Sequence, residues 1–196
     1  MKLDWKPGTM IYPLPALLVS CGDIDKDNSN IITVSWVGTV CTDPPMCYVS
    51  IRKSRHSYDI IKESGEFALN LTTKAMARET DFCGVTSGKK TDKFKECRFT
   101  KDRGLCIKSP LIKESPVNIE CKISRILELG SHDMFIANVV NVRVDDKYIN
   151  KDTGALDLYA SDMLAYCHGE YFNLGEFVGY FGWSVKKGDK TIKRRK

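Results

Sequence analysis

NIITVSWVGTVCTDPPMCYVSIRKSRHSYDIIKESGEFALNL, residues 30–71, sets the fold class. Its first eleven residues alternate. Ile32, Val34, Trp36, Gly38 and Val40 share one face; Ile31, Thr33, Ser35, Val37 and Thr39 share the other. A period of two, rich in β-branched residues, predicts a strand over 30–40. TDPP (42–45) interrupts it, because proline has no N–H to give a sheet ladder. MCYVSIRK (46–53) predicts the next strand. HSYDIIKESG then predicts a short helix, with Ser57 as N-cap, Asp59 in the first turn and Gly65 as the stop. EFALNL (66–71) alternates again.

Beyond this stretch, KAMARETDF (74–82) predicts a helix, and CGVTSGKKTDKFKE (83–96) a loop entering a short helix capped by Thr91. SPVNIECKISRILELG (115–130) and HDMFIANVVNVRVDD (132–146) predict two long strands joined through Gly130–Ser131. Residues 155–185 carry a helix-like stretch and then many aromatics, which are costly to expose. They are expected to cover the barrel or a second subunit. Many short strands with intervening helices and no βαβ rhythm predict a mainly β fold with added helices, an antiparallel barrel or sandwich. No G-x-G-x-x-G follows a strand, and no P-loop is present.

The net charge is +5, which would suit a polyanion were it spread over the fold. Residues 186–196 hold seven Lys/Arg and one Asp, a net of +6, leaving 23 basic and 24 acidic residues in 1–185. The basic character is a tail, so nucleic acid is not an expected partner. No run reaches the ~20 apolar residues of a membrane helix. The apolar patch 13–21 is interrupted by Pro15 and makes a poor signal peptide, so the expected location is cytoplasmic. The eight cysteines show no C-x-x-C or zinc-like spacing, so no metal site is expected, and in a reducing compartment they are read as thiols.

Two basic clusters invite an anion. In SIRKSRHS (50–57), Arg52, Lys53 and Arg55 precede a helix N-terminus, whose unpaired N–H groups attract negative charge. TSGKKTDKF (86–94) combines small residues with Lys89, Lys90 and Lys93, so backbone and charge can both approach an anion. Taken alone, each is equally readable as solvated surface. Together they can grip one phosphate from two sides. Trp36 is open to two readings, a core tryptophan or the wall of an aromatic ligand site. His132 and Asp133, adjacent on a strand, point to opposite faces and make no dyad. No nucleophilic triad is present.

In order and spacing these segments resemble the flavin reductase-like family, and within it the flavoredoxins. The likeness runs from Asn30 through the Ser35–Trp36 pair, Asp-Pro-Pro, the Arg55–Ser57 element and Glu-Phe-x-x-Asn. It continues in SGKKTDKF (87–94), SPVNIEC (115–121), GSHDMFIANVVNV (130–142) and GYFGWSVKK (179–187). The resemblance implies an FMN-binding split β-barrel over 9–160, a C-terminal aromatic extension over 161–187 packing on the barrel or a dimer partner, and a basic tail over 188–196. It implies that Ser57, Arg55 and Lys93 hold the FMN phosphate and that Asn30, Ser35 and Trp36 lie against the flavin and its ribityl chain. Ser50 and Arg52 would end the strand beneath it, with Tyr166 and His132 beside the ring. It further implies a homodimer moving electrons through FMN, with NADH or NADPH, or a redox protein, as donor. The alternative is an NAD(P)H:flavin oxidoreductase supplying reduced flavin to a partner enzyme. In either case the cofactor does the chemistry, and no side-chain nucleophile is required.

Overall fold

The computed structural model describes residues 1–26 and 28–185. The basic tail expected over 188–196 lies outside the described residues. The chain forms short strands β1 (Leu14–Pro15), β2 (Leu17–Cys21), β3 (Asn30–Val34), β4 (Val37–Cys41) and β5 (Met46–Ile51), then helix α1 (His56–Ser64) and β6 (Glu66–Asn70). Helices α2 (Ala77–Val85) and α3 (Lys93–Glu96) follow, with the strand pair β7 (Lys101–Asp102) and β8 (Leu111–Ile112). The long hairpin β9 (Val117–Leu129) and β10 (His132–Val144) comes next, and finally β11 (Leu164–Cys167) and β12 (Glu170–Asn173).

Seven strands make one antiparallel sheet in the order β3-β2-β6-β9-β10-β5-β4. The single strand expected over 30–40 is two strands. Ser35 and Trp36 separate β3 from β4, and these lie at opposite edges of the sheet. Two residues can join opposite edges only if the sheet curls until the edges meet. A hydrogen bond from Ser50 N to the Trp36 carbonyl, 2.8 Å, ties the junction to β5. The result is the split β-barrel expected from the resemblance.

The core explains which strands alternate and which do not. Val19, Cys21, Ile32, Val34, Val49, Phe67, Leu69, Phe135 and Ala137 fill the barrel, with Tyr58 and Ile61 of α1. The opposite faces of β2 and β3 send Leu18 and Ile31 into a second cluster with Met76, Cys83, Phe94 and Phe99, beneath α2 and α3. All five residues of β2 are therefore buried, which is why its sequence, LLVSC, is a continuous apolar run. Its one polar member, Ser20, accepts from Asn70 Nδ2 at 2.9 Å.

Several local expectations change. Arg55, with no capping bond from its side chain, is the N-cap of α1, and Ser57 is the second helical residue; Asp59 and Gly65 take their expected places, Gly65 at φ +71°. Asp92, not Thr91, caps α3, its carboxylate accepting from Lys95 N at 3.2 Å. The stretch read as helix-like after 155 is a 3₁₀ turn, Leu158–Ser161, followed by the β11–β12 hairpin. β11 pairs with β1, setting Tyr166 opposite Leu14. Among the described residues no helix is long and apolar enough to cross a membrane.

Candidate functional site

Two chambers open where β3, the Ser35–Trp36 junction, β5, α1 and α2 converge. The larger, about 380 Å³, is lined by Thr33, Ser35, Trp36, Ser50, Arg52, Arg55, Asp81, Gly84, His132, Tyr166 and Tyr171, among others. The smaller, about 90 Å³, is lined by Asn30, Arg55, Ser57, Thr86, Ser87, Gly88 and Lys93, among others. Ile32, Arg55 and Val85 line both, so the two share a wall.

The ten residues named from the resemblance line these chambers, whereas Lys53, Lys89 and Lys90 of the two basic clusters do not. The two arginines take different places. Arg55 reaches the small chamber and is held there by its guanidinium donating to the Gly84 carbonyl. Arg52 lies at the mouth of the large chamber beside His132. Asn30, expected against the flavin and its ribityl chain, lines the small chamber.

The small chamber is a polar pocket built before any ligand arrives. Ser57 is 1% exposed, Lys93 3% and Asn30 4%. Asn30 Nδ2 donates to Ser57 Oγ at 2.8 Å. Lys93 Nζ donates to the carbonyls of Ile31 and Cys83, both at 2.8 Å. An ammonium has three protons, so one is left for the chamber. Burial, and secondarily Arg55, lowers the Lys93 pKa, because a desolvated cation has too little compensation. Beneath them Cys21 is fully buried, and burial pushes its thiol up to about 12, so it stays neutral. A buried ammonium, a guanidinium and an oriented hydroxyl together suit a compact anion.

The large chamber has a different chemistry. Trp36 is half-buried rather than a core residue, and its indole lies nearly parallel to the His132 imidazole, 5° between planes and 6.2 Å between centroids. Ser131 Oγ lies 2.9 Å from His132 Nδ1. Burial, then Arg52, lowers the His132 pKa, so the ring is neutral at pH 7. Across the chamber Tyr166 packs edge-on to Tyr171, with centroids 5.9 Å apart, and Tyr171 OH donates to Asp81 at 3.3 Å. This is a slot with aromatic walls beside an anion pocket. As expected, His132 and Asp133 diverge: Asp133 is buried on the other face and accepts from Tyr58 OH at 2.5 Å.

A scan against family models matches residues 9–175 to the flavin reductase like domain. The chain belongs to the flavin reductase-like family. Among solved members, the flavoredoxin of Desulfovibrio vulgaris (Miyazaki F) is 32% identical, superposing with a TM-score of 0.86 over 95% of this chain and all of that one. The flavoredoxin of Methanosarcina acetivorans is 28% identical, with a TM-score of 0.84 at the same coverage. An FMN reductase (NADH) of Serratia proteamaculans is 29% identical over 119 residues, 59% of this chain and 65% of that protein. For a member of this family, the sequence missed Thr33, Asp81, Gly84 and Tyr171 as chamber residues. Only Gly84, in α2 against Thr33, left a trace in its missing side chain: a Cβ there would meet Thr33 Cβ at 3.3 Å.

Proposed function

We propose that the protein is an FMN-binding flavoprotein of flavoredoxin type that carries out oxidoreduction through bound FMN. The observation that carries this is the pairing of an aromatic-walled slot with a buried, monophosphate-sized cationic pocket across a shared wall. The residues fit the group. Ser57, Lys93 and Arg55 would hold the phosphate. Trp36, Ser35, Ser50, Tyr166 and His132 would border the ring system, with Arg52 at the mouth. The flavin supplies the two-electron and one-electron chemistry when bound. The chain's own contribution is to bind and orient. The neutral His132 offers a proton acceptor in the slot, while α2 and the aromatic pair Tyr166–Tyr171 limit access by water.

Donors to be tested are NADH, NADPH and a redox protein. The visible spectrum of the purified protein tests the reading first. A colourless protein that fails to bind added FMN refutes it. Rapid mixing of the flavin-loaded protein with NADH or NADPH follows: bleaching identifies a nicotinamide donor, and its absence a protein donor.

The second reading, an NAD(P)H:flavin oxidoreductase supplying reduced flavin to a partner enzyme, is favoured by the likeness to an FMN reductase (NADH). Flavin retained through gel filtration supports the first reading, and flavin lost but turned over with NAD(P)H supports the second. A homodimer of cytoplasmic location completes the proposal. Phe172, Val178 and Phe181 are exposed, the last completely, and apolar side chains left open in this segment suit a second copy. Light scattering on the purified protein reads the mass directly.

A further inference from the structure

The loop at Gly88 has a geometry that the phosphate reading does not by itself require. A Cβ added there would lie 2.2 Å from Asn30 Oδ1, 2.6 Å from its Cγ and 2.8 Å from its Nδ2. The glycine therefore rests flat on the whole amide of Asn30. Gly88 is not among the glycines at positive φ, so the requirement is space and not backbone conformation. Asn30 has no room to retreat. It is 4% exposed, and its Nδ2 is committed to Ser57 Oγ at 2.8 Å. Moving the amide away from residue 88 breaks that bond.

The bond has a direction. Ser57 Oγ accepts from Asn30, which fixes the hydroxyl on the chamber wall between that amide and the Cys21 thiol. Lys93 leaves one proton for the chamber, for the reason given above. The chamber then presents the Lys93 ammonium, the Arg55 guanidinium and the held Ser57 hydroxyl, and the loop bearing Gly88 forms part of its wall, at about 90 Å³. A phosphomonoester dianion accepts from such donors. An uncharged hydroxymethyl end has no charge to match them.

Resting on the flavin reading, we infer that Gly88 and Asn30 are a positioning pair. The glycine lets the loop seat on the Asn30 amide, the amide holds the Ser57 hydroxyl in place, and the two together select the phosphorylated flavin over riboflavin. Neither residue needs to touch the ring system for this.

Fluorescence titration of the full-length apoprotein with FMN and with riboflavin tests the pair, using Gly88→Ala, Asn30→Ala and the double variant. The wild type is expected to prefer FMN. Gly88→Ala should weaken FMN by about tenfold or more, the range for losing a charge-assisted contact, and leave riboflavin within about threefold. On the Asn30→Ala background, where the clashing amide is gone, the same Gly88→Ala change should cost FMN less than about threefold, the non-additivity expected of residues in contact. A Gly88→Ala protein that keeps the wild-type preference, or penalties that simply add, overturns the pair while leaving the flavin reading intact. A wild type that binds neither flavin overturns both.

Discussion

Replacing Lys93 by Met tests the anion pocket most directly. The change keeps a similar unbranched stem and removes the ammonium. Two of its protons serve the Ile31 and Cys83 carbonyls at 2.8 Å, so a single proton is available to a ligand. One charge-assisted hydrogen bond contributes roughly 1.5–3 kcal/mol. At 1.4 kcal/mol per decade, FMN affinity should fall about 10- to 100-fold. Riboflavin, with no phosphate, should bind as before. The pH dependence follows from the lowered Lys93 pKa. The fold favours the neutral amine, so this residue's contribution to apoprotein stability is full above the unfolded value near 10.5 and is lost as pH falls through the depressed folded value. A bound dianion favours the ammonium and raises that pKa again. FMN binding at alkaline pH should therefore take up a proton, and FMN affinity should weaken as pH climbs through the depressed titration range. Isothermal titration in two buffers of different ionisation enthalpy reads the uptake. The reasoning is refuted if Lys93→Met binds FMN as tightly as the wild type, if riboflavin weakens equally, or if the alkaline weakening persists in the variant.

Trp36→Ala should weaken FMN and riboflavin by the same factor, about 2- to 12-fold for roughly 0.5–1.5 kcal/mol of aromatic contact, since Trp36 borders only the large chamber. Unequal losses, measured by fluorescence titration, would place it near the phosphate. Tyr58→Phe should lower the melting temperature, because the Tyr58 hydroxyl is the first cause of the depressed Asp133 pKa. The gap from wild type should narrow as pH falls through that depressed value, where the carboxylate is protonated and its stabilisation lost. Calorimetry across acidic pH checks this, and a pH-independent gap counts against it. In thiol titration of the native protein, exposed Cys106 should react first. Cys21, Cys47, Cys83 and Cys121 should wait for unfolding. Cys106→Ser should delete the fast phase.

The sequence carried the strands and the composition of the site further than it carried their arrangement. The long alternating runs that became β9 and β10 were legible because each strand has one covered and one open face along part of its length. The break at Ser35–Trp36 was not. Alternation continues through it unbroken, and only the closing of the sheet demands that the chain leave one edge for the other there. Ser57 as a candidate anion residue was readable from its place near a helix start, though its neighbour Arg55 takes the cap. Asn30 and Ser57 are twenty-seven residues apart, so their bond is invisible in sequence. Gly88 was legible only as a small residue in a basic loop. That its missing Cβ makes room for an amide comes from tertiary packing.

The meeting of the sheet's two edges has a thermodynamic consequence. The large chamber is walled by Ile32, Val34 and Thr33 from one edge strand and by Ser50 and Ile51 beside the other. A molecule seated there spans the seam, as a rivet spans a split ring. Parting of the edges and departure of the ligand are then one linked equilibrium. Any excess of ligand over its dissociation constant is transmitted as resistance to opening. The Ser50 amide, bonded across the junction to the Trp36 carbonyl, sits where that resistance would register, as slowed hydrogen exchange at a single backbone position.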